Sequence, residues 1–195
     1  MRALVLALAA ALPLAHAARL DAQEGVDKSR PTAVLVGGPQ VGRIAPDFTL
    51  PWAGRDGVGP ADNPYQLWRD RGKTVVIAFF PRDFTSSCTA QMQTFAEQYD
   101  SLFGPDVIVV GINGDSLETH SRFAARLGLP FRLLSDANLR VTRKYGSYDG
   151  SGRPRRTIFV VGPDGRIRYR DLEFDARDPK DYAALGAAVR EARGG

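Results

Sequence analysis

From about residue 41 onward, apolar positions fall into two kinds of block that take turns along the chain. Residues 74–80 (Thr-Val-Val-Ile-Ala-Phe-Phe) and 107–112 (Val-Ile-Val-Val-Gly-Ile) are near-continuous apolar runs. Runs of that length suit strands covered on both faces of a sheet. Residues 131–134, 157–161 and 166–169 predict further strands. Pro163, Asp164 and Gly165 form a tight turn between the last two, so that pair is expected to be antiparallel. Between the strands, Cys88, Met92, Phe95, Tyr99 and Leu102 recur at steps of four, three, four and three, which defines one face of a helix. Residues 117–127 predict a second helix, with Asp115 or Ser116 placed to cap it. Asp136 is placed to cap a short helix that runs through Tyr145 and is closed by Gly146. Residues 179–193 predict a C-terminal helix.

This alternation predicts an α/β domain over residues 41–195, with a central mixed sheet flanked by helices on both faces. A thioredoxin-like fold is among the architectures that fit it. Residues 18–40 lack sustained periodicity and are expected to be a linker or loosely docked arm. Residues 1–17 differ from both. Arg2 is followed by an almost wholly apolar stretch over 3–15, and Ala15-His16-Ala17 places small residues where a signal peptidase cuts. The stretch is shorter than the roughly 20 residues of a membrane-spanning helix. The expectation is a signal peptide, an exported chain found in the periplasm or outside the cell, and no stable membrane anchor.

Composition narrows the chemistry. Of 195 residues, 44% are hydrophobic and 25% charged, enough for one domain with a sizeable core. The sequence pI is about 9.5, yet the net charge is only +4 and acidic residues are interspersed among basic ones. No nucleic-acid face is implied. One cysteine and two histidines cannot build a zinc finger, and a single cysteine cannot form an intrachain disulfide. No cofactor is expected. A lone thiol in an exported chain points to reactivity.

That thiol, Cys88, follows a buried strand and opens a helix. Unpaired backbone N–H groups and the positive end of the helix dipole meet there, and both favour thiolate, the nucleophilic form. Pro81 is placed to end the strand, and Thr85 can point a hydroxyl at the sulfur. Position alone also suits a cysteine that simply fills the apolar helix face.

The surrounding residues separate these readings. Pro81-x-x-x-Thr85-x-x-Cys88 after an apolar strand resembles the peroxidatic motif of the peroxiredoxins. Residues 45–51 (Ala-Pro-Asp-Phe-Thr-Leu-Pro) resemble the opening strand of that family. Gly111-Ile-Asn with Asp115, His120 and Phe123, followed by residues 129–136, resembles its bacterioferritin-comigratory (Q-type) branch. Residues 156–165 resemble the strand that carries the family's active-site arginine. The likeness runs in order from about Val41 to about Leu172.

The resemblance implies a thiol-dependent peroxidase that reduces hydrogen peroxide and organic hydroperoxides in antioxidant defence and redox homeostasis. Cys88 would be the nucleophile, Thr85 would bond the thiolate and the peroxide, and Pro81 would shield the pocket. Arg156 would stabilise charge on the leaving oxygen. Strand alternation sends Arg155 and Arg156 to opposite faces, and spacing to Phe159 favours Arg156. His120 matches a helix outside the Thr-Cys-Arg trio, which favours packing or capping.

Two departures stand out. Many Q-type members have a resolving cysteine where this chain has Gln93, and an acidic residue is frequent where it has Gln91. A one-cysteine form is implied, its sulfenic acid reduced by an external thiol, either a thioredoxin-like protein or a low-molecular-weight thiol. The expected assembly is a monomer or homodimer. The alternative is an exported non-catalytic or disulfide-reductase thioredoxin-like protein, although a reductase needs a Cys-x-x-Cys spacing that this sequence lacks. A copper-delivery role would draw on Cys88 and Met92.

The export reading has a direct check. Intact mass of the protein from its native host should correspond to a chain beginning near Ala18, and a mass that retains residues 1–17 refutes cleavage.

Overall fold

The fold is taken from a computed structural model that describes residues 37–194. The expected signal peptide over 1–17 and most of the 18–40 segment therefore lie outside the described residues. In chain order, the strands are β1 (Thr49–Leu50), β2 (Trp52–Gly54), β3 (Gly57–Val58), β4 (Tyr65–Gln66) and β5 (Thr74–Phe79), followed by β6 (Val107–Asn113), β7 (Arg132–Ser135), β8 (Thr157–Val161) and β9 (Ile167–Asp171). The helices are α1 (Ser86–Glu97), α2 (Tyr99–Leu102), α3 (Leu117–Leu127), α4 (Arg140–Lys144) and α5 (Pro179–Arg193).

β5 is an inner strand of a seven-stranded sheet ordered β3-β2-β7-β6-β5-β8-β9, while β1 and β4 pair separately. β6 lies parallel to β5 on one side, and β8 lies antiparallel to it on the other. The sheet is mixed, as the sequence pattern predicts, and β8 and β9 form the expected antiparallel hairpin. Within its turn, Gly165 takes φ +78 and donates to Gly162 O at 2.8 Å. That is the left-handed conformation glycine adopts without strain.

All six β5 positions are buried. Alternation divides them between two cores. Val76, Ala78 and then Phe80 share one face with Cys88, Met92 and Phe95 of α1, Phe123 of α3, and Leu185 and Val189 of α5. Val75, Ile77 and Phe79 pack on the other face with Phe48, Tyr65, Val141 of α4 and Tyr145. Helices thus cover both faces of a thioredoxin-like sheet.

Several local details depart from the sequence pattern. The helix that begins at Ser86 ends at Glu97, and a separate turn, α2, carries Tyr99 and Leu102. The offset at Gln98 sets Tyr99 where its hydroxyl donates to Val107 O at 3.1 Å. Ser116, not Asp115, caps α3, accepting from Thr119 N. Asp136 serves α4 from a distance, because Leu139 occupies the cap position with φ +55. Its carboxylate accepts from Arg140 N at 3.0 Å, Val141 N at 3.3 Å, Thr142 N at 2.7 Å and the Thr142 hydroxyl at 2.8 Å.

Residues 37–40 lie against the folded body. Arg170 donates to Gly37 O at 2.8 Å, and a Cβ on Gly38 would sit 1.9 Å from Tyr145 O.

Asp136→Ala removes the acceptor for three backbone N–H groups at once. It should cost about 2 kcal/mol, the upper range for a lost cap and within that for unsatisfied buried donors. Urea unfolding of the variant should show a lower midpoint with an unchanged slope.

Candidate active site

β5 gives way to a loop at Pro81, which has no N–H to offer a sheet ladder. The last bond of this strand edge is Phe80 N to Ile112 O at 3.2 Å. The loop turns sharply at Phe84, whose φ is +58. Thr85, in extended conformation, stands at the N-cap of α1. Its side chain makes no capping bond, and its hydroxyl donates to Arg82 O at 3.1 Å. A hydroxyl has one hydrogen, so donation to the sulfur requires that this bond be exchanged. Cys88 is the third residue of α1 and is 1% exposed. It therefore sits in the first turn of α1, the helix end at which backbone N–H groups lack intrahelical partners.

Arg156 arrives from the opposite side. The pairing of Phe79 with Thr157 places the residue before Thr157 at the end of β5, where the loop begins. Ile158 and Val160 share the core face of Cys88, and alternation turns Arg156 to that face as well. Its Nη2 lies 3.4 Å from Cys88 Sγ and 3.1 Å from Ser87 Oγ, and its Nη1 donates to Gln91 Oε1. One planar guanidinium therefore spans three side chains of the first turns of α1. That use depends on the fixed fork of arginine and is not available to lysine. Negative charge on the sulfur has a cationic partner there.

Arg155 takes the other face. Its Nη2 donates to Gly146 O at 3.0 Å. Pro81, Arg82 and Arg153 line a small cavity of about 110 Å³ together with Asp115 and Leu139. Gln93, noted above as a departure from the resembled pattern, is exposed on α1. His120 is fully buried behind the loop, with Nδ1 2.8 Å from Asp83 Oδ2. Among the described residues, no group of three or more His, Cys, Asp or Glu side chains is placed to hold a metal ion.

The structure thus brings Cys88 and Arg156 together, with Thr85 and Pro81 on the adjoining loop. Sequence reasoning did not single out Ser87 as a partner of Arg156, and it noted Gln91 only as a departure. Gln91 stands three residues from Cys88 and four from Ser87, and that spacing carries the signal, since residues one turn apart on a helix share a face.

Fold and site together define a thioredoxin-like α/β domain that carries a helix-start cysteine after β5, with an arginine from the entry to β8 beside its sulfur. The chain belongs to the AhpC/TSA family, whose model matches residues 41–170. It is 40% identical over 129 residues to a chloroplastic peroxiredoxin Q of Sedum lineare, covering 65% of this chain and 66% of that protein. It is 34% identical to a putative peroxiredoxin bcp of Coxiella burnetii, covering 66% of this chain and 85% of that protein. The chain thus spans slightly less than two thirds of the length of the Sedum protein, and 61% of a chloroplastic peroxiredoxin Q of Triticum aestivum. Among solved structures, the peroxidoxin BcpB of Mycobacterium tuberculosis superposes with a TM-score of 0.66 at 25% identity, over 80% of this chain and 99% of that one. A peroxiredoxin Q variant of Xanthomonas campestris gives 0.65 at 22% identity, over 75% and 92%.

Gln91→Ala should leave Arg156 in place but less firmly oriented. Losing one hydrogen bond is worth about 1 kcal/mol, so oxidation of Cys88 by hydrogen peroxide should slow about fivefold in stopped-flow measurements.

Proposed function

We propose that this chain is a thiol-dependent peroxidase acting on hydrogen peroxide and small organic hydroperoxides, with Cys88 as its nucleophile. The observation that carries this reading is the guanidinium of Arg156 at 3.4 Å from the sulfur of a helix-start cysteine. Family membership and the peroxiredoxin names of its relatives support it.

In the reaction, the Cys88 thiolate attacks one peroxide oxygen. An S–O bond forms as the O–O bond breaks, the sulfur is oxidised by two electrons, and the leaving oxygen departs as hydroxide or alkoxide and takes a proton. Arg156 stabilises charge on both the sulfur and the oxygens, and such preorganised donors matter most where charge develops. Thr85 holds the incoming peroxide through its hydroxyl, and Pro81 limits water at the loop. The product at Cys88 is a sulfenic acid.

The chain has no second cysteine to capture that product. A thiol from outside condenses with the sulfenic acid, forming a mixed disulfide and releasing water. A second thiol then displaces it, restoring Cys88 and leaving the reductant as a disulfide. The N-terminal pattern supports action outside the cytoplasm, with a thioredoxin-like protein or a small thiol as the donor.

Cys88→Ser should abolish thiol-dependent peroxide consumption. Arg156→Ala should fold but lose about 2.7–4 kcal/mol of transition-state stabilisation, a rate loss of roughly 10² to 10³. Mass spectrometry after stoichiometric peroxide should show a monomer that gains one oxygen, then two with excess oxidant. Rapid, complete conversion to a Cys88–Cys88 dimer would rule out the external-thiol cycle.

A further inference from the structure

A second polar cluster lies behind the loop that precedes Cys88, and the steps above make no use of it. Asp83 is only 3% exposed and His120 is fully buried. Asp83 Oδ2 lies 2.8 Å from His120 Nδ1, and Asp83 Oδ1 accepts from Asn113 Nδ2 at 2.9 Å. A carboxylate oxygen can only accept, so opposite Asp83 it is Nδ1 of the imidazole that donates. The Asp83 N–H donates to Asp115 Oδ2 at 2.8 Å, and Asp115 N–H donates to Asn113 Oδ1 at 2.6 Å. His120 Nε2 is buried with no hydrogen-bond partner.

Such a cluster is a poor device for stability. Buried charged and polar pairs lose solvation that apolar residues of the same volume do not, and replacing them with a packed apolar group is commonly neutral or favourable. What the cluster does supply is direction, since each of its bonds fixes an angle as well as a distance. The adjacent residue shows where that direction is spent. Phe84 holds a left-handed backbone, φ +58, that a non-glycine residue keeps only when its surroundings impose it. Its ring packs on Phe123 with centroids 4.9 Å apart, although Phe84 is 44% exposed. His120 and Phe123 stand three residues apart on α3 and so face the same way. Two successive loop residues, Asp83 and Phe84, are therefore pinned to one face of one helix. Thr85 follows directly, and Cys88 lies one turn beyond.

We propose that Asp83 and His120 are positioning residues for Cys88. They fasten the loop to α3 so that the first turn of α1 presents the sulfur to Arg156 and to peroxide. The proposal rests on the reading of Cys88 as the peroxide-reactive group. Neither residue touches the reacting atoms in this arrangement, and their effect passes through the backbone of Phe84 and Thr85.

The test compares two rate constants for Cys88 in the same folded protein. Both reactions need a reachable thiolate. Oxidation by hydrogen peroxide also depends on Arg156 and Thr85 being placed to meet the peroxide oxygens, which alkylation by iodoacetamide does not, so the ratio of the two rates isolates that placement. His120→Leu should lower the ratio of peroxide rate to alkylation rate at least tenfold. His120→Asn, which keeps an N–H near the position of Nδ1, should restore it to within threefold of the parent. A smaller fall in a cooperatively melting His120→Leu protein, or no recovery with asparagine, overturns the proposal. Should His120→Leu not fold, Asp83→Asn decides, because it keeps the volume but turns one acceptor into a donor. Its ratio should fall at least threefold, and a lesser change overturns the proposal. A parent protein whose Cys88 ignores peroxide overturns both readings, while a reactive parent with unchanged ratios in the variants overturns the positioning role alone.

Discussion

The antiparallel register between β5 and β8 sets Phe79 opposite Thr157, and through that pairing it decides which arginine reaches the sulfur. In a sheet whose side chains alternate, a slip of one residue exchanges every residue between faces. Such a slip would carry Arg155 toward Cys88 and send Arg156 to the Gly146 side. The register is held because both faces of β8 are covered. Ile158 and Val160 fill the core on the Cys88 side, and Phe159 and Val161 fill the other. Phe159 meets Phe79 edge-on with ring centroids 6.1 Å apart, and Tyr145 edge-on at 5.2 Å. Packing some distance from the sulfur thereby fixes a charge beside it.

The loop supplies the other half of the arrangement. β8 delivers the cation from one side, while α3 and the end of β6 fasten the segment that leads into α1. The cysteine lies between these constraints, nearly excluded from solvent. On the proposed reading, attack on a small peroxide and reduction by an external thiol place different steric demands on this buried sulfur.

Much of the architecture was legible in the sequence because it rests on local periodicity. The apolar runs at 74–80 and 107–112, the Pro163–Gly165 turn and the face that begins at Cys88 each announce an element through spacing alone. The alternation of Arg155 and Arg156 was legible for the same reason. The short strands β2 and β3 were not, since Trp52–Gly54 and Gly57–Val58 show no run long enough to carry a period. Asp83 with His120 is a pairing across 37 positions, and Arg156 with Gln91 one across 65. Contacts of that kind are made by the finished fold, and a single sequence gives no local trace of which polar residues will meet. Asp136 falls between the two cases. Its use as a cap was visible, but the turn that lets it serve α4 from four residues before Arg140 was not.

The separation between Cys88 and Arg156 has a consequence in time. The two residues are 68 positions apart, and they meet only where β8 has paired with the end of β5. A chain that has made α1 but not yet recruited β8 has the helix start and the thiol, but no guanidinium beside them. The full electrostatic setting of the sulfur is therefore conferred by completion of the sheet. It arrives with the folded state and departs with it, so a newly made or unfolded chain holds an isolated thiol where the finished protein holds one set against a guanidinium.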